Sequence, residues 1–143
     1  MKVERKAQGG TSVWIKMYVL DTDVAVDYLR SNDIITEKLK KLNNLFITKL
    51  SLAELFFGVY NSRNSGKHYS KLMDFLAGVK ILNLDFNACS GFGKIKSNLT
   101  KQGKIIGDFD IVIAAITIAN NFALITRNLK HYENIEGLKI MHL

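Results

Sequence analysis

Five short apolar runs punctuate the chain, and between them apolar residues recur at helical spacing. The runs are Tyr18-Val19-Leu20 and residues 45–48, 79–84, 122–126 and 138–141. Each is apolar along most of its length instead of alternating with polar residues, which predicts strands buried on both faces. The runs 45–48 and 138–141 are short, and for these period alone leaves helix open. Helical spacing covers residues 23–29, 34–42, 51–59, 69–76, 86–99 and 108–119, with Gly103 where a C-terminal cap would follow the fifth. Residues 61–66, with Ser, Asn and Gly, read as a loop. Strands alternating with helices predict an α/β fold around a parallel sheet. Residues 1–16 are polar and basic with no sustained period. They are expected to form an N-terminal extension without regular structure, ahead of a single domain over 17–143.

Composition narrows the class. At 143 residues the chain is the size of one domain, and 48% apolar with 23% charged residues is an ordinary globular balance. Twenty Lys and Arg against thirteen Asp and Glu give a net charge of +7, which favours an anionic partner: nucleic acid, an acidic protein or a membrane surface. No apolar run approaches a membrane span and no signal peptide precedes the first strand, so a membrane partner is not expected. Cys89 is the only cysteine, which rules out an internal disulfide and points to a cytoplasmic setting. As a lone residue it reads as a small buried filler. Three scattered histidines make a Cys/His zinc site improbable, so any metal is expected to be held by oxygen.

The candidate chemistry lies where acidic residues meet the apolar runs. Asp21 ends the first strand and Asp23 follows it; Glu54 stands in Ser51-Leu52-Ala53-Glu54; Asp108 and Asp110 precede Ile111-Val112-Ile113-Ala114-Ala115; Asn128 follows Ile125-Thr126-Arg127. Each has an ordinary reading. Asp23 suits a helix cap, Ser51-x-x-Glu54 is a capping box, and Asp108 and Asp110 suit a helix first turn. Asp27, a turn after Asp23, reads as solvated. Lys94, Lys96, Lys101 and Lys104 read as a solvated helix face or as a track for a polyanion. In a parallel α/β sheet, however, loops after the strand C-termini share one edge. One cleft there would collect Asp21, Glu54, Asp108, Asp110 and Asn128. Carboxylates crowded beside apolar segments need a counter-charge, and a hard divalent cation supplies one. Such an ion lowers the pKa of a bound water and neutralises charge on a phosphoryl group, so hydrolysis of a phosphodiester follows without a histidine base.

These residues carry a family resemblance. Leu20-Asp21-Thr22-Asp23, then Leu52-Ala53-Glu54-Leu55 with Phe57-Gly58, then Gly103 to Ala115 with Gly107 and Asp110, then Thr126-Arg127-Asn128 and Ile135-Glu136-Gly137-Leu138, resemble PIN-domain ribonucleases of the VapC toxin type over residues 17–143. The resemblance implies a three-layer α/β/α fold with a central, mainly parallel sheet of about five strands. It implies a Mg²⁺- or Mn²⁺-dependent endoribonuclease with Asp21, Glu54 and Asp110 as its invariant acids. Asp108 would be an auxiliary ligand or water-positioner. Asn128 occupies the fourth, often aspartate, position, and Asp23 stands where many members have asparagine. It further implies a homodimer and inhibition by a VapB-type antitoxin, with Phe56, Phe57 and Tyr60 as a docking surface.

Two other classes bear on the same residues. Strand-Asp21-x-Asp23 is similar to the opening of a haloacid-dehalogenase-type phosphatase, with Asp21 as nucleophile, though no second acid follows Asp108 within its helix and Glu54 has no role there. A non-catalytic RNA-binding relative would be expected to have lost Asp21 or Asp110; both are present.

Overall fold

The computed structural model describes residues 17–143 throughout and, before them, the backbone of Val3–Lys6 and Ser12–Ile15 only. Those two segments, β1 and β2, pair antiparallel with Val3 opposite Ile15. The extension was expected to carry no regular structure, so this ribbon is a difference. Its rungs rest on backbone hydrogen bonds, which apolar periodicity does not report. Gly9-Gly10 lies outside the described residues.

From Tyr18 the chain alternates strand and helix. The order is β3 (Tyr18–Leu20), α1 (Thr22–Leu29), α2 (Asp33–Lys40), β4 (Leu45–Thr48), α3 (Lys49–Tyr60), α4 (Ser65–Leu76) and β5 (Lys80–Leu82). Then follow α5 (Phe86–Lys101), α6 (Asp108–Ala119), β6 (Ala123–Thr126), α7 (Leu129–Tyr132) and β7 (Lys139–His142). The five strands β3 to β7 form one sheet in the order β5-β4-β3-β6-β7, every neighbour parallel.

Successive strand residues face opposite sides of a sheet, so each strand feeds two cores. Tyr18, Leu20, Ile47, Ala123 and Ile125 pack with α1 to α4; Val19, Phe46 and Leu124 pack with α5, α6 and Tyr132 of α7. The three layers follow from this two-sided burial. The edge strand β5 is the exception, since Ile81 is exposed where the run 79–84 was read as buried. An edge strand has a neighbour on one side only, a fact invisible to composition.

Several local expectations are refined. Gly103 has φ +68° and Lys104 N donates to Leu99 O, so α5 does close on a left-handed glycine. The loop read over 61–66 is shorter, because α4 starts at Ser65 with Asn64 accepting from Lys67 N. Cys89, expected to be buried, is exposed on the outer face of α5. Asp27, expected to be solvated, forms an ion pair with Arg127, its Oδ2 lying 2.8 Å from Nε.

Candidate functional site

Because β4, β3 and β6 are adjacent and parallel, their C-terminal ends share one edge of the sheet. Asp21 follows β3 directly, Thr126 closes β6 with Asn128 two residues on, and α3 carries Glu54 away from β4. Helix α6 runs back toward the start of β6, so its N-terminal turn, with Asp108 and Asp110, lies at the same edge.

Asp21 is the N-cap of α1, 5% exposed, and each of its oxygens is held. Oδ1 accepts from Thr22 N at 2.9 Å and from the Tyr132 hydroxyl at 2.9 Å; Oδ2 accepts from Thr126 Oγ1 at 2.8 Å. Burial, and then the negative charge of Asp23, push its pKa up to about 6, against the pull of these donors. The cap is therefore Asp21, while Asp23 stands in the first turn with its own pKa raised by burial. Asp23 Oδ2 accepts from Asn128 Nδ2 at 3.2 Å; Asp23 Oδ1 is buried with no hydrogen-bond partner of good geometry, though the nearby Val24 and Arg127 backbone amides favour the anion.

Asp110 joins from α6. Its Oδ1 lies 3.2 Å from the same Tyr132 hydroxyl, and its Oδ2 contacts His131 Nδ1 at 2.9 Å. Burial, followed by the charges of Asp21 and Asp110, raises the Tyr132 pKa far above that of a free phenol, so the hydroxyl stays protonated.

Glu54 takes part through Thr22. The cap of α3 is Thr48, whose Oγ1 accepts from Ser51 N at 3.0 Å, so Ser51-x-x-Glu54 is not the capping box it resembles. Ser51 is buried in the first turn, with its Oγ 2.9 Å from Thr22 Oγ1. Freed from capping, Glu54 accepts from Thr22 Oγ1 at 3.0 Å. Asp108 lies apart from these hydroxyl-linked carboxylates: its Oδ1 pairs with Lys96 Nζ at 2.8 Å in solvent. Lys104 is likewise engaged, donating to Asn134 Oδ1, so two of the four lysines of the basic stretch have local partners.

The donors fit a hard divalent cation in kind. They are carboxylates, and among them Asp23 Oδ1 is buried with no hydrogen-bond partner. As the side chains stand, no group of three or more His, Cys, Asp or Glu among the described residues converges closely enough to hold a metal ion. Hydroxyls occupy the space between the acids instead, Tyr132 between Asp21 and Asp110 and Thr22 beside Glu54. Sequence reasoning missed Thr22, Thr126, His131 and Tyr132. The Asp-Thr-Asp and Thr-Arg-Asn motifs contain the first two, but nothing in a four-residue helix marks His131 or Tyr132. A phosphatase nucleophile finds no support, because Asp21 is covered by three donors instead of open to a substrate.

A family profile described as PIN domain matches residues 18–136. Ribonuclease VapC2 of Rickettsia felis is 33% identical over 128 residues, covering 85% of this chain and 94% of the relative. Among solved structures, VapBC2 from Rickettsia felis bound to a promoter DNA fragment superposes with a TM-score of 0.82 at 31% identity, covering 89% of this chain and 98% of that one. VapBC-1 from nontypeable Haemophilus influenzae gives 0.79 at 28% identity, covering 88% and 97%.

Proposed function

Because this chain belongs to the PIN-domain family, among relatives named VapC ribonucleases, we propose that it is an endoribonuclease toxin that hydrolyses RNA phosphodiesters with a bound divalent cation, Mg²⁺ or Mn²⁺. PIN-domain ribonucleases as a group depend on divalent metal. The observation that carries the reading is the meeting of Asp21 and Asp110, from distant parts of the chain, on one buried hydroxyl at the C-terminal edge of the sheet. Carboxylates so placed cost the fold free energy, and a metal site explains why they are there.

In this reading Asp21, Glu54 and Asp110 hold the cation, with Asp23 contributing its unpartnered oxygen and Asp108 and Asn128 at the rim. When bound, the cation supplies an acidified water and neutralises charge on the phosphoryl oxygens. The chain's own residues do the rest. Thr126 and the Thr22 amide fix the Asp21 carboxylate, His131 holds the outward oxygen of Asp110, and the Asn128 amide holds Asp23. The net charge of +7 draws the polyanion in.

A VapB-type antitoxin is the proposed inhibitor, supported by relatives solved as VapBC complexes. Its proposed seat is the face of α3 where Phe57 and Tyr60 are 69% and 67% exposed and Phe56 stacks on Tyr60 at 6.1 Å. A homodimer, a single catalytic domain over 17–143 and a cytoplasmic place of action complete the proposal. Among the described residues no helix is long and apolar enough to cross a membrane. The test is cleavage of total RNA with Mg²⁺ against a chelated control. Asp110→Asn, checked by circular dichroism for an intact fold, should lose cleavage by at least about a hundredfold. Cleavage at the wild-type rate by this variant would refute the assignment.

A further inference from the structure

Tyr132 is fully buried, and its ring packs in the core formed with Val19, Ile111 and Leu124. A phenylalanine would fill that space equally well, so packing does not explain the hydroxyl. Burying a hydroxyl is costly unless it is hydrogen-bonded, and this one lies 2.9 Å from Asp21 Oδ1 and 3.2 Å from Asp110 Oδ1. Two contacts of ordinary hydrogen-bond length on one atom keep those oxygens within roughly 6 Å of each other. The hydroxyl has one proton to offer two acceptors, so it offsets only part of their mutual repulsion.

We propose that the Tyr132 hydroxyl stands in for the divalent cation: it holds Asp21 and Asp110 together in the metal-free protein and is displaced from at least one of them when the ion enters. The inference rests on the proposed function above, in which those carboxylates are metal ligands. Tyr132 is thus a positioning residue whose hydroxyl competes with the metal, stabilising the empty pocket and weakening metal affinity. The hydroxyl and a cation held by these carboxylates would meet the same electrostatic need, so each would weaken the other's hold on them.

The experiment is Tyr132→Phe, measured without RNA. Unfolding of the chelator-treated protein should occur several degrees below wild type, because hydrogen bonds to buried charged groups are lost. Isothermal titration with Mn²⁺ should show binding roughly tenfold tighter, the size of one such bond. Tightening is the diagnostic, since a merely structural role would leave affinity unchanged or weaken it. In an Asp110→Asn background the same substitution should lower the unfolding temperature less, because one of the two charges is already gone. Binding by wild type with equal or weaker binding by Tyr132→Phe overturns this inference alone. Absence of Mn²⁺ binding by both proteins overturns the metal reading of the site and this inference with it.

Discussion

Asp21→Asn isolates the cost of a buried carboxylate. In the folded protein Asp21 ionises near pH 6 instead of its ordinary 3.8, because burial and the nearby Asp23 charge disfavour the anion more than Thr126, Tyr132 and the Thr22 amide favour it. A gap of about two pH units corresponds to about 3 kcal/mol, at 1.36 kcal/mol per unit. The sign follows from proton counts. Between about pH 4 and pH 6 the folded state keeps the Asp21 proton while the unfolded chain releases it, so stability falls as pH rises through that window and the full loss persists above it. Asparagine never ionises. In metal-free buffer, wild type should therefore lose about 2 kcal/mol relative to Asp21→Asn between pH 4 and pH 7, the remainder of the gap lying below pH 4. Weakened hydrogen bonds in the variant shift this difference by a constant without tilting it. Urea unfolding followed by circular dichroism across pH 4–7.5, with chelator present, measures it. Saturating Mn²⁺ should remove the tilt, since the ion favours the ionised form. A difference between the two proteins that stays constant within about 0.5 kcal/mol over that range would sink the argument.

Glu54→Gln keeps an acceptor for Thr22 Oγ1, so unfolding should change little while RNA cleavage is lost; retained cleavage would remove Glu54 from the site. Asp108→Asn breaks a solvent-exposed pair with Lys96 worth less than about 1 kcal/mol, and its loss of cleavage should be much smaller than that of Asp110→Asn in a side-by-side assay. Gly103→Ala meets no atom within 4 Å of the added methyl, so its expected cost of about 1–2 kcal/mol in denaturant unfolding comes from the left-handed backbone alone.

The acids were legible because they break a pattern. Asp21, Glu54 and Asp110 interrupt or abut apolar segments, and a parallel sheet has one edge at which such interruptions meet. The capping-box reading of Ser51 and Glu54 failed for a local reason. Thr48, at the end of β4, starts the helix one turn earlier and takes the cap, which frees Glu54 for Thr22. Cys89 shows the opposite weakness: a small apolar residue is consistent with core or surface, and the face α5 turns outward decided it.

Local sequence by itself determined the alternation of strand and helix, the two-faced burial of the inner strands, the glycine stop after α5 and which acids abut the apolar runs. Each is fixed by periodicity or backbone preference within a few residues. Only the tertiary structure decided which hydroxyls stand among those acids. Tyr132 meets Asp21 across 111 residues of chain and Thr22 meets Glu54 across 32. A hydrogen bond depends on atoms arriving within about 3 Å, and the docking of α7, α1 and α3 at the sheet edge sets that distance where residue spacing does not.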